Sequence, residues 1–180
     1  MPDYHRAYVP GGTFFFTIVT FHRQPTFKDE SAVSLLRQCL HTTIRRRPFV
    51  IDAMVLLPDH LHAIWTLPEG DCDYSNRWRE IKARFSRLYL KSPPNGSCAQ
   101  MRRKGQRSIW QERFWEHAVT SQADYNRHCD YIHFNPVKHG LATSPLEWKL
   151  SSFEQFVARG LYEPDWGAYP DEGLLKMDLE

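Results

Sequence analysis

The stretch Val55-Leu56-Leu57-Pro58-Asp59-His60-Leu61-His62-Ala63-Ile64-Trp65 is apolar and rich in residues that favour β-strands. From His60 onward it predicts a central strand, on which alternate side chains point to the same side of a sheet. We therefore expect His60 and His62 to share one face while Leu61 packs on the other. Two imidazoles that converge from a rigid strand supply half of a divalent-metal site.

The segments around this strand alternate between strand and helix patterns. Strands are predicted at about residues 13–21, 49–57, 60–67 and 115–120, and helices at about residues 28–47, 75–90 and 121–135. Pro48 ends the first helix and Ser75 caps the second. Ser121 and Asp124 resemble a capping box for the third helix, which Pro136 ends. The order β-α-β-β-α-β-α predicts an α+β fold of the ferredoxin-like class, an antiparallel sheet with its helices on one face, plus a C-terminal extension.

The length and composition bound the class of protein. A chain of 180 residues is long enough for one domain with a real core. We expect residues 1–140 to form a catalytic domain and residues 141–180 to form an extension packed on it or near it. No apolar run is long enough to cross a membrane, and the first residues lack the pattern of a signal peptide. The four scattered cysteines are typical of reduced thiols in a cytoplasm.

The charge of the chain is distributed unevenly. Residues 77–113 hold eleven Lys and Arg against two Glu, a net charge of +9, whereas residues 147–180 have a net charge of −5. Aromatic residues are interleaved with the basic ones at Trp78, Phe85, Tyr89 and Trp110. This pattern suits a polyanion whose bases stack on aromatic rings, with an ordinary solvated charged face as the alternative. A further hypothesis is that the acidic tail packs back on the domain and screens its basic groove.

A second element of the candidate site follows about 70 residues after the histidines. Tyr131 and Asn135 lie four positions apart on the third predicted helix, so their side chains emerge on one face. The Asn135 amide oxygen is a candidate third ligand. A site with two histidine nitrogens and one amide oxygen, in which further coordination positions stay open, suits Mg²⁺ or Mn²⁺ better than zinc. A dication near Tyr131 would stabilise its phenolate for attack on a phosphodiester. The alternative is that the histidines are structural and the tyrosine only packs in the core.

Four motifs follow one another along the chain. They are the stretch at residues 55–65, Trp78-Arg79-Glu80-Ile81-Lys82, Trp110-Gln111-Glu112-Arg113-Phe114-Trp115-Glu116-His117 and Asp130-Tyr131-Ile132-His133-Phe134-Asn135-Pro136-Val137-Lys138-His139-Gly140. In the first motif, His60-Leu61-His62 resembles the HUH pattern (His, hydrophobic, His) of single-strand DNA nucleases. Together the four motifs resemble those of the REP-associated tyrosine transposases, bacterial relatives of the single-tyrosine transposases of small insertion sequences, where REP denotes a repetitive extragenic palindrome. The likeness runs from Tyr4 to Tyr162, nearly the whole chain.

The resemblance implies a mechanism and a metal. In the family, the tyrosine that matches Tyr131 attacks a scissile phosphate in single-stranded DNA, stays bound to the 5′-phosphate and releases a 3′-hydroxyl. The histidines that match His60 and His62 hold Mg²⁺ or Mn²⁺. A polar residue on the tyrosine helix completes the ligand set, and it is Gln in the insertion-sequence relatives but Asn135 here. The implied activity is that of an HUH endonuclease and strand transferase that cleaves and rejoins single-stranded DNA.

The resemblance also implies a partner. The family's substrate is a REP, an imperfect DNA hairpin with a short conserved tetranucleotide at its 5′ foot. We expect contacts with this DNA from Arg79, Lys82 and Arg84, from Arg102, Arg103 and Lys104, from Tyr4 and Arg6, and from Lys138. The palindrome-associated branch is expected to act as a monomer, and the alternative is the dimer with exchanged tyrosine helices of the insertion-sequence relatives. Such a protein is expected to be cytoplasmic and associated with the nucleoid, with no membrane partner.

Two other functions are compatible with the sequence. One is a domesticated protein that binds palindrome hairpins with little or no catalysis. An aligned phenol and metal pair disfavours it, because a pure binder has no need of one. The other is a metal-dependent RNA phosphodiesterase, which would not need Tyr131 and predicts RNA cleavage without a covalent protein adduct.

Overall fold

A computed structural model describes residues 7–91, 109–170 and 172–177. The strands are β1 (Thr13–Val19), β2 (Val50–Leu56), β3 (His60–Thr66) and β4 (Trp115–Ala118). The helices in the described ranges are α1 (Glu30–Arg46), α2 (Tyr74–Lys91), α3 (Gln122–Lys138), α4 (Phe153–Ala158) and α5 (Glu172–Leu175). None of these helices has the length and apolar character needed to span a membrane.

The four strands form one sheet in the order β2-β3-β1-β4, and each neighbouring pair is antiparallel. The two central strands are therefore β1 and β3, as the apolar character of both segments predicts. This order is that of the ferredoxin-like class, so the predicted α+β fold is confirmed.

The helices cover both faces of the sheet. Phe16 and Trp65 point to the face where α1 and α2 pack, and the Trp65 and Trp78 rings stack with their centroids 4.0 Å apart. Phe15 and Ile64 point to the opposite face, where they form a second apolar cluster with residues of α3. The expectation that the helices share one face thus holds for α1 and α2 but not for α3. The reason is strand alternation, since the apolar residues on the second face also need cover.

The helix ends agree with the predicted signals in part. The Ser121 side chain caps α3 by accepting a hydrogen bond from the Asp124 backbone N–H at 3.1 Å, as predicted. The prediction that Ser75 caps α2 is wrong, because the Asp73 carboxylate accepts the N–H of Asn76 instead. Pro136 does not end α3 at once. The proline removes one backbone donor near the end of the helix, and α3 continues to Lys138.

The segment after α3 packs on the edge and face of the sheet. Backbone hydrogen bonds join Leu56 N–H to the Leu150 carbonyl and Ser152 N–H to the Met54 carbonyl, each at 2.8 Å. Beyond α4, the described part of the acidic tail lies against α3, where the Met177 carbonyl accepts a hydrogen bond from Lys138. The tail is therefore on the sheet face opposite the basic helix α2, and its described part does not screen that helix. The boundary between residues 140 and 141 stays a prediction.

Candidate active site

Strand β3 places the two histidines of the HUH pattern on the face that α3 covers. His60 and His62 are both buried, and their ring centroids are 4.9 Å apart. In the sheet, His60 pairs with Val19 of β1 and His62 pairs with Thr17 of β1. Leu61 between them belongs to the core on the opposite face, as the alternation predicts.

Both imidazoles are held through their Nδ1 atoms. The Thr17 hydroxyl lies 2.9 Å from His62 Nδ1, and the Asp59 carboxylate lies 2.6 Å from His60 Nδ1. Metal-binding histidines are commonly oriented in this way, with the other ring nitrogen on the metal. The arrangement therefore directs Nε2 of each ring to the role of a ligand.

The electrostatics suit a neutral imidazole at His62 and an ionised carboxylate at Asp59. Complete burial, together with the nearby cations, holds the pKa of His62 well below its usual value, so the ring is neutral and able to bind a metal. Partial burial would raise the pKa of Asp59. The hydrogen bond with His60 and the nearby Arg23 outweigh that effect and lower the pKa of Asp59 below its usual value.

One face of α3 lies against these histidines. The Tyr131 ring centroid is 5.2 Å from that of His62, and the ring of His139, just after the helix, is 5.2 Å from that of His60. Asn135 lies midway between Tyr131 and His139, one helical turn from each, so it belongs to the same face. The structure thus brings His60, His62 and Tyr131 together, and Asn135 lies on the same face of the helix as Tyr131.

The Asn135 side chain has an unusual environment. It is 0% exposed, and its amide oxygen and nitrogen find no hydrogen-bond partner among the described residues. Buried polar groups of proteins are almost always hydrogen-bonded, because an unpaired one costs folding free energy. A bound ion would give the amide oxygen a partner. The residues present therefore fit a divalent metal ion, held by two imidazole nitrogens and one amide oxygen.

Sequence reasoning missed several residues around this centre. Thr17 and Arg23 come close only through the pairing of distant segments, whereas Asp59 directly precedes His60 and was visible as a polar break in an apolar run. The Arg23 guanidinium lies 3.4 Å from the Asp59 carboxylate. Arg23 and His22 both have positive φ values, 49° and 52°, a strained conformation for residues other than glycine.

Lys138 lies beside the tyrosine. Its ammonium is 5.0 Å from the centroid of the Tyr131 ring, within the range of a cation–π contact. The same ammonium donates a hydrogen bond to the Met177 carbonyl at 2.9 Å. The sequence predicted a phosphate contact for Lys138, and the structure places it next to the nucleophile candidate.

Known proteins resemble this chain in sequence and in fold. Residues 11–135 match the family described as "Transposase IS200 like". A REP-associated tyrosine transposase of Escherichia coli (strain K12) is 45% identical over 166 residues, which cover 92% of this chain and 91% of the relative. The chain belongs to the REP-associated tyrosine transposases. The family resemblance seen in the motifs is thereby confirmed.

Two further relatives agree with this assignment. A protein of Haemophilus influenzae is 37% identical to this transposase over 175 residues, 95% of this chain and 96% of the relative. A solved REP-associated tyrosine transposase bound to a REP hairpin superposes with a TM-score of 0.77 at 42% identity, covering 96% of each chain. The fold of this transposase is therefore that of its family over nearly its full length.

The predicted DNA-binding residues of this transposase lie in several places. Arg79 and Lys82 line a groove of about 520 Å³ between α2 and residues 110–114. The Lys82 ammonium donates to the Gln111 carbonyl at 2.6 Å, and Arg84 pairs with Glu80 at 3.4 Å, so both side chains also have partners in the protein. The predicted contacts at Tyr4, Arg6, Arg102, Arg103 and Lys104 lie outside the described residues.

The prediction that the aromatic residues of the basic segment stack on bases is wrong. Trp78, Phe85, Tyr89 and Trp110 are each at most 5% exposed and belong to the core. The residues at positions 78, 85 and 89 recur at helical spacing, so they form the inner face of α2, while Arg79, Arg87 and Lys91 are exposed on its outer face. The same spacing is compatible with either role, and only packing against the sheet decides between them.

Proposed function

We propose that this transposase cleaves and rejoins single-stranded DNA at REP hairpins through a 5′-phosphotyrosine intermediate, with Mg²⁺ or Mn²⁺. The observation that carries the proposal is the packing of Tyr131 against His62. One turn further along the same helix face lies the Asn135 amide, which has no hydrogen-bond partner in the described part of the chain. The hairpin substrate is supported by the related transposase whose structure contains a REP hairpin.

In this proposal Tyr131 is the nucleophile. Its phenolate oxygen forms a bond to the scissile phosphorus, and the bond from phosphorus to the 3′-oxygen of the preceding nucleotide breaks. That oxygen takes up a proton and leaves as a 3′-hydroxyl, while the 5′-phosphate stays on the tyrosine. Rejoining is the reverse reaction, in which a 3′-hydroxyl attacks the phosphotyrosine and Tyr131 leaves.

The surrounding residues orient and stabilise the reacting groups. His60, His62 and Asn135 would hold the metal, which when bound polarises the phosphate and stabilises the leaving oxygen. Asp59 and Thr17 keep the two imidazoles in a ligating orientation. The Lys138 ammonium near the Tyr131 ring favours the negative charge of the phenolate. The Arg23 side chain is 53% exposed, so it is accessible to a phosphate at the edge of the site.

DNA recognition is proposed to combine this site with the groove beside α2. Arg79 on the wall of that groove is the candidate that best fits a phosphate contact, because its cationic side chain is exposed there. Lys82 and Arg84 are proposed to shape the groove as well as to attract the backbone. We place the protein in the cytoplasm, with the nucleoid, because its proposed substrate is chromosomal DNA.

The proposed site is complete within one chain. We propose a monomer that cleaves in cis, with Tyr131 beside a histidine of its own chain, and the alternative is a dimer with exchanged tyrosine helices. The assembled phenol and histidines also favour catalysis over hairpin binding alone. An RNA phosphodiesterase is disfavoured because it has no use for a tyrosine at this position.

The test is a denaturing gel with a single-stranded REP oligonucleotide, labelled on the 3′ side of the cleavage site, and Mn²⁺. The wild type should give a labelled covalent protein–DNA band. Tyr131→Phe and His62→Ala should both lose it, whereas Tyr125→Phe, which removes a phenol from the same helix, should retain it. Hairpin binding by the wild type without any adduct, in Mg²⁺ and in Mn²⁺, would replace this proposal with the binding function. RNA cleavage without an adduct would replace it with the phosphodiesterase function.

A further inference from the structure

A second group of side chains able to ligate a metal lies at the β4 edge of the sheet. His117 is on β4, and Asp124 and His128 are on the first turns of α3. The His117 Nε2 atom lies 2.9 Å from one carboxylate oxygen of Asp124, and His128 Nδ1 lies 3.1 Å from the other. The two imidazole rings are nearly parallel, with centroids 4.7 Å apart and an interplanar angle of 18°. One donor atom from each residue can be chosen so that all lie within 4.8 Å of one another.

This donor set suits a transition-metal dication. Two imidazoles and one carboxylate, with remaining positions open to water or substrate, are a recurrent ligand set for such ions. Each imidazole donor atom lies 2.9–3.1 Å from a different oxygen of the Asp124 carboxylate, which is close to the separation of neighbouring ligands that are each roughly 2.1 Å from one ion. A metal would take the place of the imidazole hydrogens that now face the Asp124 carboxylate, and a neutral ring would then carry its proton on the other ring nitrogen.

The protonation states also fit. Burial lowers the pKa of His128 in spite of its contacts with Asp124, so its ring is neutral. For Asp124, partial burial is outweighed by the hydrogen bonds from His117 and the Thr120 backbone, and its pKa is lowered. The cluster therefore presents a carboxylate and a neutral imidazole without prior proton loss.

The cluster is accessible from one side and anchored on the other. The His117 side chain is 37% exposed, whereas that of His128 is only 4% exposed. Phe15 separates the cluster from the proposed catalytic centre, because its ring contacts His62 at 5.6 Å and His128 at 4.6 Å between centroids. An ion could thus enter from solvent and reach ligands on two different elements.

We propose that His117, Asp124 and His128 form a second divalent-metal site, distinct from that of His60, His62 and Asn135. The ion is a transition metal such as Zn²⁺, and its bound form joins edge strand β4 to the first turns of α3. Tyr131 lies one turn beyond His128 on that helix. Metal at this site therefore positions the helix that carries the tyrosine.

The test measures Zn²⁺ binding to tag-free protein in which His62→Ala has removed the first site. Equilibrium dialysis with metal analysis should find one Zn²⁺ per chain. Adding His117→Ala should abolish that equivalent, whereas adding His41→Ala, a change at an exposed histidine of α1, should leave it intact. Zn²⁺ should also raise the melting temperature of the His62→Ala protein and have no effect after His117→Ala.

Because the first site is absent in this background, failure of the catalytic proposal would not change the result. Two outcomes would overturn the second site. One is no Zn²⁺ on folded His62→Ala protein, with folding checked by circular dichroism in EDTA. The other is one Zn²⁺ that persists when His117→Ala, or the alternative His128→Gln, is added.

Discussion

Replacing Asn135 by leucine distinguishes the effect of this residue on folding stability from its effect on metal binding. The side chain is fully buried, and neither polar atom of its amide has a hydrogen-bond partner in the described residues. An unsatisfied buried polar group costs about 1–3 kcal/mol of stability. Leucine is similar in size and carries no polar atom. Asn135→Leu should therefore raise the free energy of unfolding of the metal-free protein by about 1–3 kcal/mol.

Metal should reverse the advantage of the variant. A ligand that binds only the folded state stabilises it by about 2.7 kcal/mol at 100 times its Kd. The wild type should gain this amount in Mn²⁺, but Asn135→Leu lacks the third ligand and should gain much less at the same concentration. In Mn²⁺, the free energy of unfolding of Asn135→Leu should then no longer exceed that of the wild type. The variant should also form little covalent adduct with DNA.

Urea unfolding in EDTA and in Mn²⁺, followed by tryptophan fluorescence, measures both effects. Asn126→Leu is the matched control, because Asn126 is an exposed residue of the same helix and its amide oxygen accepts a hydrogen bond from Gln122 at 2.7 Å. That control should not gain stability in EDTA and should keep the full response to Mn²⁺. Loss of stability in EDTA by Asn135→Leu, together with an unchanged Mn²⁺ response, would refute the assignment of Asn135 as a ligand.

Three further predictions concern the support of the site. Asp59→Asn removes the carboxylate that holds His60 Nδ1. The affinity for Mn²⁺, measured by calorimetry, should therefore fall about 10–100-fold. An affinity equal to that of the wild type would mean that the carboxylate does not orient the His60 ring. Burial lowers the pKa of the folded-state His133 from 6.5 to about 3. As the pH falls, the unfolded chain therefore takes up this proton before the folded protein does, and the free energy of unfolding should decrease by about 2 kcal/mol between pH 7.5 and 5. Between these two pH values, the midpoint of urea unfolding should decrease more for the wild type than for His133→Gln. An equal decrease in both proteins would contradict this role of His133. Ending the chain after Pro170 removes Met177, which packs against the cluster that contains Tyr131; the rate of adduct formation should rise, and no rise would show that the tail does not restrict the site.

Much of the site could be predicted from sequence because its two halves obey local periodicities. Alternation along β3 places His60 and His62 together, and the turn of α3 does the same for Tyr131 and Asn135. The order of strands and helices was predictable for the same reason, since each element is encoded over a short window. The cap at Ser121 is likewise a local signal.

The sequence by itself thus determined which residues share a face within each element, and its motifs determined the family. Only the tertiary structure decided that α3 packs opposite α1 and α2, and that Thr17 and Arg23 support the histidines. It also decided that the aromatic residues of α2 face the core instead of DNA. Local periodicity shows which side chains lie on the same face of an element, but it does not show which residues they contact. Those contacts depend on strand register and on packing between residues far apart in the chain.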